Sequence, residues 1–273
     1  MKKLLTLTLT VLMALTAIFG LTACNKDDVG QKVANIRPNT ITVGYTDYAP
    51  MNFKDDKGTL VGFDTELALM VFNALGYEVK FKLIDWSNKY LELDGGTIDC
   101  IWNGFTYNVA DSDGVQRSDK VDFTVAYMQN AQCIVRKASA SNITSWADFE
   151  GKSVAYETGS AADSLVESNI TVNANKKGKS SQMDAIREVN SGVTDFAIVD
   201  ILLAQSLVGQ NDYKNIALNE GIEIAAEYYA VGFKKGSELT QKVNFMFTVF
   251  HELGMTQKLA EKYNLATSYC FNG

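Results

Sequence analysis

Histidine is almost missing from this chain of 273 residues. His251 is its one imidazole, which leaves imidazole catalysis and a histidine-based metal site with little to work from. Proline is nearly as scarce, at Pro38 and Pro50, so proline marks no domain boundary. The four cysteines fall at no metal-ligand spacing. With Cys24 given another role below, Cys100, Cys133 and Cys270 allow one disulfide in an oxidising compartment or three buried thiols. Internal repeats and low-complexity stretches are absent. Basic charge is in deficit as well, 25 Lys and Arg against 32 Asp and Glu, and arginine contributes only four of the 25. The formal net charge of −7 disfavours nucleic acid or another polyanion as partner. No metal and no cofactor is implied.

Long apolar runs are also wanting, with one exception at the start. Residues 1–24, "MKKLLTLTLTVLMALTAIFGLTAC", place Lys2 and Lys3 ahead of an apolar Leu4–Gly20 and close on small residues, the pattern of an export signal. The run is at the short end for a membrane span. Leu21-Thr22-Ala23-Cys24 resembles a bacterial lipobox, which implies cleavage before Cys24 and a lipid on that cysteine. The expected location is extracytoplasmic, lipid-anchored to the outer face of the plasma membrane or on the periplasmic side. Loss of Lys2 and Lys3 with the signal leaves 23 basic against 32 acidic residues, a net −9. Residues 25–39, polar and without periodicity, are expected to be a flexible tether. The roughly 235 residues beyond are enough for two lobes.

From Ile41 onward strand-like runs alternate with helical patterns, the signature of parallel-sheet α/β units. "ITVGY" reads as a strand, "FDTELALMVFNALG" as an amphipathic helix and "YEVKFKLI" as a strand alternating apolar with charged residues. A helix is expected from about Ser87 to Leu93, then a strand at "DCIWNGF". A second series follows: "SVAYET" strand, "SAADSLVES" and "SQMDAIREVNSG" helices, "DFAIVD" strand and "LLAQSLVG" helix. The first series resumes at "YYAVGFKK", and two helices close the chain. In the first of them Leu239, Val243, Met246, Phe250 and Leu253 are spaced as one buried stripe.

Arginine is the side chain that meets a carboxylate with a planar fork and keeps its charge when buried. In "ADSDGVQRSDKVDF" Arg117 sits among four aspartates. It serves either a surface ion pair or the carboxylate of a ligand. "DSDG" with Asp119 and Asp122 hints at calcium, but an EF-hand loop wants glycine at its sixth position and Gly114 is the fourth.

The ordered motifs "DYAPMNF", "GFDTELA", "LIDWSNKY", "GTIDCIWNGFT", "QRSDKVDFTVAYM", "WADFEGKSVAYETGSAA", "GVTDFAIVD" and "VNFMFTVFHELG" resemble the extracytoplasmic substrate-binding proteins of polar amino-acid ABC importers, solute-binding protein family 3. The resemblance runs from Ile41 to about Tyr263. It implies a two-lobed α/β, periplasmic-binding-protein-like fold of type II with the ligand in the interlobe cleft. Lobe 1 would comprise 40–128 and 228–273 and lobe 2 would comprise 129–227, with crossings near Met128–Ala131 and Ile224–Glu227. The implied function is to bind a free amino acid and deliver it to an ABC permease by closure of the lobes, with no bond made or broken. A monomer is expected.

The resemblance also implies a site. Arg117 would grip the α-carboxylate, the Thr106 hydroxyl would help hold the ligand, and the Asn103-Gly104 backbone would supply a carbonyl for the ammonium. Ser160 reads as a helix N-cap with Asp163 as its capping-box partner, and the Ser160 and Ala161 backbone would complete the carboxylate grip. Asp200 ends a strand where open α/β sheets place their ligands, and would pair the α-ammonium; a plain helix N-cap is the alternative. Tyr48, Phe53 and Trp86 would wall the side chain, with Tyr45 and Trp102 nearby; for Phe53 and Trp102 a place in the core is an equal reading. Relatives that take basic amino acids carry an aspartate where Tyr45 stands, which points to a neutral or polar ligand. The span from Thr106 to Arg117 is eleven residues where the family uses about five, and Ala126 replaces a family proline. The rival is an enzyme on the same fold, a lyase like cyclohexadienyl dehydratase, which needs a carboxylate such as Glu157 or Asp47 as general acid or base.

Overall fold

The structure, a computed structural model, describes residues 39–170 and 173–271. The expected export signal, the lipid-bearing Cys24 and the tether up to Pro38 lie outside the described residues. Among the described residues no helix is long and apolar enough to cross a membrane.

The chain opens with strand β1 (Asn39–Tyr45), a short hairpin of β2 (Phe53–Lys54) and β3 (Leu60–Val61), helix α1 (Phe63–Ala74) and strand β4 (Tyr77–Leu83). β1 runs parallel to β4 along its whole length, from Asn39↔Tyr77 to Tyr45↔Leu83. The expected helix after β4 divides: a 3-10 turn at Trp86–Asn88, begun by Asp85 accepting from the Ser87 N–H, passes into α2 (Lys89–Asp94). The expected strand "DCIWNGF" shortens to β5 (Cys100–Ile101). Past Ile101 the chain bends away, and this bend builds the site described below. Helix α3 (Arg117–Lys120) and β6 (Asp122–Phe123) follow.

The long strand β7 (Met128–Lys137) begins a second group: β8 (Ser153–Glu157), α4 (Ala161–Asn169), β9 (Asn175–Lys179), α5 (Gln182–Ser191), β10 (Phe196–Asp200), α6 (Ile201–Leu207) and β11 (Ile216–Leu218). β12 (Ala226–Tyr229) and β13 (Gly232–Phe233) lead back to α7 (Leu239–Glu252) and α8 (Met255–Lys262). One sheet has the order β4-β1-β5-β13-β6 and the other β11-β7-β10-β8-β9. The fold is thus two-lobed, each lobe built on one sheet. β12 lies antiparallel along the first part of β7, from Ala226↔Ala131 to Tyr229↔Met128, so the two segments that pass between the sheets travel side by side.

β10 shows why its sequence is apolar up to its last residue, Asp200. Phe196 and Ile198 enter one buried cluster, with Phe149 and Val154, while Ala197 and Val199 face the opposite cluster. A strand covered on both faces carries no polar alternation. Cys100, Cys133 and Cys270 are all free thiols, the first two buried.

The expected stripe on α7 is shifted. Thr240, Val243, Phe247 and Phe250 are its buried residues, whereas Leu253 is 59% exposed. Spacings of three and four fit two neighbouring stripes almost equally, and Phe247 decides between them. Its ring centroid lies 5.6 Å from that of Trp102 and 5.8 Å from that of Tyr127. Leu253 falls at the cap, where Gly254 at φ 68° turns the chain into α8. Phe247→Ala is therefore expected to cost about 3–5 kcal/mol in urea unfolding. Leu253→Ala should stay within about 0.5 kcal/mol of the parent.

Candidate ligand-binding site

The bend after β5 is locked from beneath. The Asn103 amide donates to the Thr46 carbonyl at 2.9 Å and to Asn52 Oδ1 at 2.8 Å, and its oxygen accepts from the Thr46 hydroxyl at 2.6 Å. Gly104 has φ 56°, and a Cβ there would stand 2.6 Å from the Tyr48 ring. Glycine meets both demands. Its N–H donates to Asp64 Oδ2 at 2.7 Å. Burial raises the Asp64 carboxyl to about 7 against the pull of that N–H.

Arg117 is held by the loop that lengthens this segment. Ala110 bridges Gln116, the Asp111 N–H donates to the Val115 carbonyl and the Arg117 N–H to the Val109 carbonyl, so residues 109–117 fold back on themselves. Asp111 Oδ1 then accepts from Arg117 Nε at 2.8 Å. Nη1 donates to the Thr106 carbonyl at 3.1 Å and Nη2 to the Gly159 carbonyl at 3.4 Å, across from the second sheet. The guanidinium lies 5.3 Å from the centre of the Phe105 ring, and the side chain is 1% exposed. A surface ion pair is thereby excluded. Burial would raise the Asp111 carboxyl, but the Arg117 and Lys89 charges and hydrogen bonds from Tyr90 and Lys120 hold it down at about 2.

Across the cleft the turn after β8 supplies the start of α4. Ser160 Oγ accepts from the Asp163 N–H at 3.3 Å, and Asp163 Oδ2 accepts from the Gly159 N–H at 2.8 Å. The expected capping box thus reaches back one residue further than its usual form, because the Ser160 N–H already donates to the Glu157 carbonyl at 3.2 Å. The first N–H groups of α4, from Ala161, have no partner inside the helix.

Asp200 is 5% exposed at the end of β10. It starts α6 but makes no side-chain cap. Its Oδ1 accepts from the Asn130 amide at 2.7 Å and from the Gln132 amide, and its Oδ2 from the Gln182 amide. The same Asn130 and Gln132 amides serve Glu227 on β12. Burial raises the Asp200 carboxyl against these donors. Burial, then the Asp200 charge, pushes Glu227 up to about 8.

A narrow cavity lies between these groups. Its lining gathers the expected Trp86, Asn103, Gly104, Thr106, Arg117, Ser160, Ala161 and Asp200, and adds Glu157 and Gln182. Tyr48 is not among the lining residues. It stands behind Gly104, 2% exposed, with its hydroxyl 2.6 Å from that of Tyr229. Trp102 belongs to the core, 5.8 Å from Phe72 between ring centres, Phe53 packs on Tyr263, and Tyr45 packs on Phe81. Gln182 carried no signal in "SQMDAIREVN" beyond its place at a helix start.

A model of the bacterial extracellular solute-binding proteins, family 3, matches residues 41–266. The chain is 28% identical over 256 residues to the arginine-binding extracellular protein ArtP of Bacillus subtilis strain 168, spanning 93% of this chain and 96% of that one. It is 27% identical over 269 residues to the L-cystine-binding protein TcyA of the same organism, again spanning 93% and 96%. Among solved structures, an ancestral arginine-binding protein bound to arginine matches with a TM-score of 0.75 at 30% identity, covering 82% of this chain and 98% of that one.

Removing the anchor of a buried guanidinium should be costly. Asp111→Ala is expected to lose about 3–5 kcal/mol in denaturant unfolding. Because the Asp111 carboxyl sits at about 2 in the folded chain against about 3.9 unfolded, its contribution is complete above pH ~4 and fades as pH falls towards ~2. Acid titration of stability should therefore be flatter across that window in the variant than in the parent.

Proposed function

We propose that this chain, which belongs to the bacterial extracellular solute-binding proteins of family 3, clamps a free α-amino acid between its two lobes and hands it to an ABC-type permease. The observation that carries this is one cavity with a buried guanidinium, a buried carboxylate and an open helix start on its walls. A zwitterion brings two charges, and burying either unpaired costs several kcal/mol. Arg117 has five N–H groups, three of them engaged by Asp111, Thr106 and Gly159. The α-carboxylate takes the remainder, with the Ala161 N–H at the start of α4 opposite. Asp200, held rigid by three amides, receives the α-ammonium, and the Thr106 and Gly104 backbone completes its shell.

The guanidinium already touches Gly159 across the cleft. Closure by bending where β7 and β12 run side by side would bring Asp200 and the α4 start onto a ligand resting on Arg117. Cys24 would carry the lipid that keeps a monomeric binder beside its permease. Relatives named for arginine and for L-cystine leave the ligand side chain open. Tyr45 in the place of an aspartate, and a cavity lined by Glu157, Gln182 and Trp86, favour a polar one.

Thermal unfolding of the purified protein with each of the twenty amino acids tests this. The true ligand at one hundred times its dissociation constant should stabilise by about 2.7 kcal/mol. Asp200→Asn, which removes the charge but keeps the shape and one of the two accepting oxygens, and Arg117→Lys should each abolish that gain while the unliganded variants still melt cooperatively. Folded variants that keep the full gain would remove the clamp. Turnover of prephenate or arogenate to an aromatic product would replace binding by catalysis.

A further inference from the structure

Glu157 is the charged group on the cavity wall for which a zwitterion clamp has no use. It ends β8 and is 3% exposed. Its carboxylate takes part in no hydrogen bond among the described residues, whereas the neighbouring Asp200 accepts from three amides. The cations nearby are already committed. Lys89 donates to the Gly159 carbonyl at 2.8 Å and lies over the Trp86 and Tyr90 rings at 5.2 and 4.6 Å. Arg117 is paired with Asp111. A buried acceptor without a donor is costly unless something else supplies one. On a cavity wall that something is the ligand.

We propose that Glu157 reads the ligand's side chain and selects an amino acid whose side chain ends in N–H donors, an amide or a nitrogen cation. This rests on the amino-acid clamp above and narrows it. The clamp holds the α-groups through Arg117 and Asp200, which leaves Glu157 to face whatever extends from the α-carbon. An aliphatic end leaves the carboxyl without a partner, and a carboxylate end is repelled by its ionised form. Burial, then the Asp200 charge, raises Glu157 to about 8, with Lys89 and Arg117 pulling the other way and Asp85 adding to the rise. A cationic end would therefore drive the proton off Glu157. A neutral amide can bind with the proton in place, its oxygen accepting from the carboxyl.

Calorimetric titration with L-glutamine, L-lysine, L-arginine, L-histidine, L-norleucine and L-glutamate distinguishes these outcomes. At least one donor-ended amino acid should bind roughly 10- to 100-fold more tightly than norleucine or glutamate, the range a hydrogen bond to a charged group supplies. Glu157→Leu removes an unpartnered buried carboxyl, so it should melt no lower than the parent. It should erase the preference while norleucine still binds, and Glu157→Gln should keep part of it. Buffer-dependent heat, with affinity rising between pH 6 and 8, marks a nitrogen cation; its absence marks an amide. Preference for norleucine or glutamate, or a preference unchanged in Glu157→Leu, overturns the proposal. Absence of binding by any amino acid to the parent overturns the clamp itself, and the assignment of Glu157 with it.

Discussion

A guanidinium cannot shed its charge to escape burial, and the cleft is built around that constraint. Arg117 is covered on all sides, so each of its edges must find an acceptor. Asp111 and the Thr106 carbonyl supply two from the first lobe, and the Gly159 carbonyl supplies one from the second. Lys89 donates to the same Gly159 oxygen. Two cations of one lobe therefore converge on one backbone carbonyl of the other. Gly159 allows the approach: it has φ 76°, and a Cβ there would lie 3.2 Å from the Ser87 Cα. Burial, then the Arg117 charge, pulls the Lys89 ammonium down to about 7, which leaves the guanidinium as the permanent cation at this junction.

The acidic side of the site is tied to the chain crossings in a comparable way. Asn130 and Glu227 are partners in the β7–β12 register, and Asn130 reaches from there to Asp200 at the end of β10. Gln132 makes the same pair of bonds. Two carboxyl groups that share amide donors in a buried place resist carrying two charges together. Both are pushed up from the ordinary range by burial. Movement of the crossing strands cannot leave the Asp200 carboxylate undisturbed, because two of its three donors sit on one of them. Binding chemistry and lobe geometry are thus linked through two amide side chains.

The parts of the site carried by short local motifs were legible in the sequence. "TGSAADSL" encodes its helix start through Ser160 and Asp163, and "DFAIVD" ends on Asp200 because a strand buried on both faces stops at its first charge. The resemblance pointed to Arg117, although the loop before it is about twice the family's length. The structure makes the loop the anchor, since Asp111 approaches Nε only after Ala110 has bridged Gln116. That pairing is set by how the loop closes, which no local pattern records. Tyr48 shows the opposite case: an aromatic in a strand-to-helix loop suits a wall, and here its hydroxyl meets that of Tyr229, 181 positions away in the chain, a partner no local pattern records. Gln182 and the α7 stripe depend on which face of a helix meets a neighbour. Sequence spacing narrows that choice to two adjacent stripes and leaves the rest to packing, which Phe247 settles against Trp102 and Tyr127.

Charge on the cavity wall also limits what the site can hold. In the proposed clamp Arg117 and Asp200 are complementary to the two poles of a zwitterion, the first fixed by the Asp111 carboxylate and two backbone carbonyls, the second by three neutral amides. Glu157 has no such company. A site for an apolar amino acid would gain by replacing that carboxyl with an aliphatic residue, since no hydrogen bond among the described residues offsets its desolvation and the Lys89 and Arg117 charges do so only in part. The position lies on a strand end, next to a turn that already places Gly159 and Ser160, so the backbone does not require an acid there. What the carboxyl does offer is an acceptor aimed at the one part of an amino acid that the clamp leaves free.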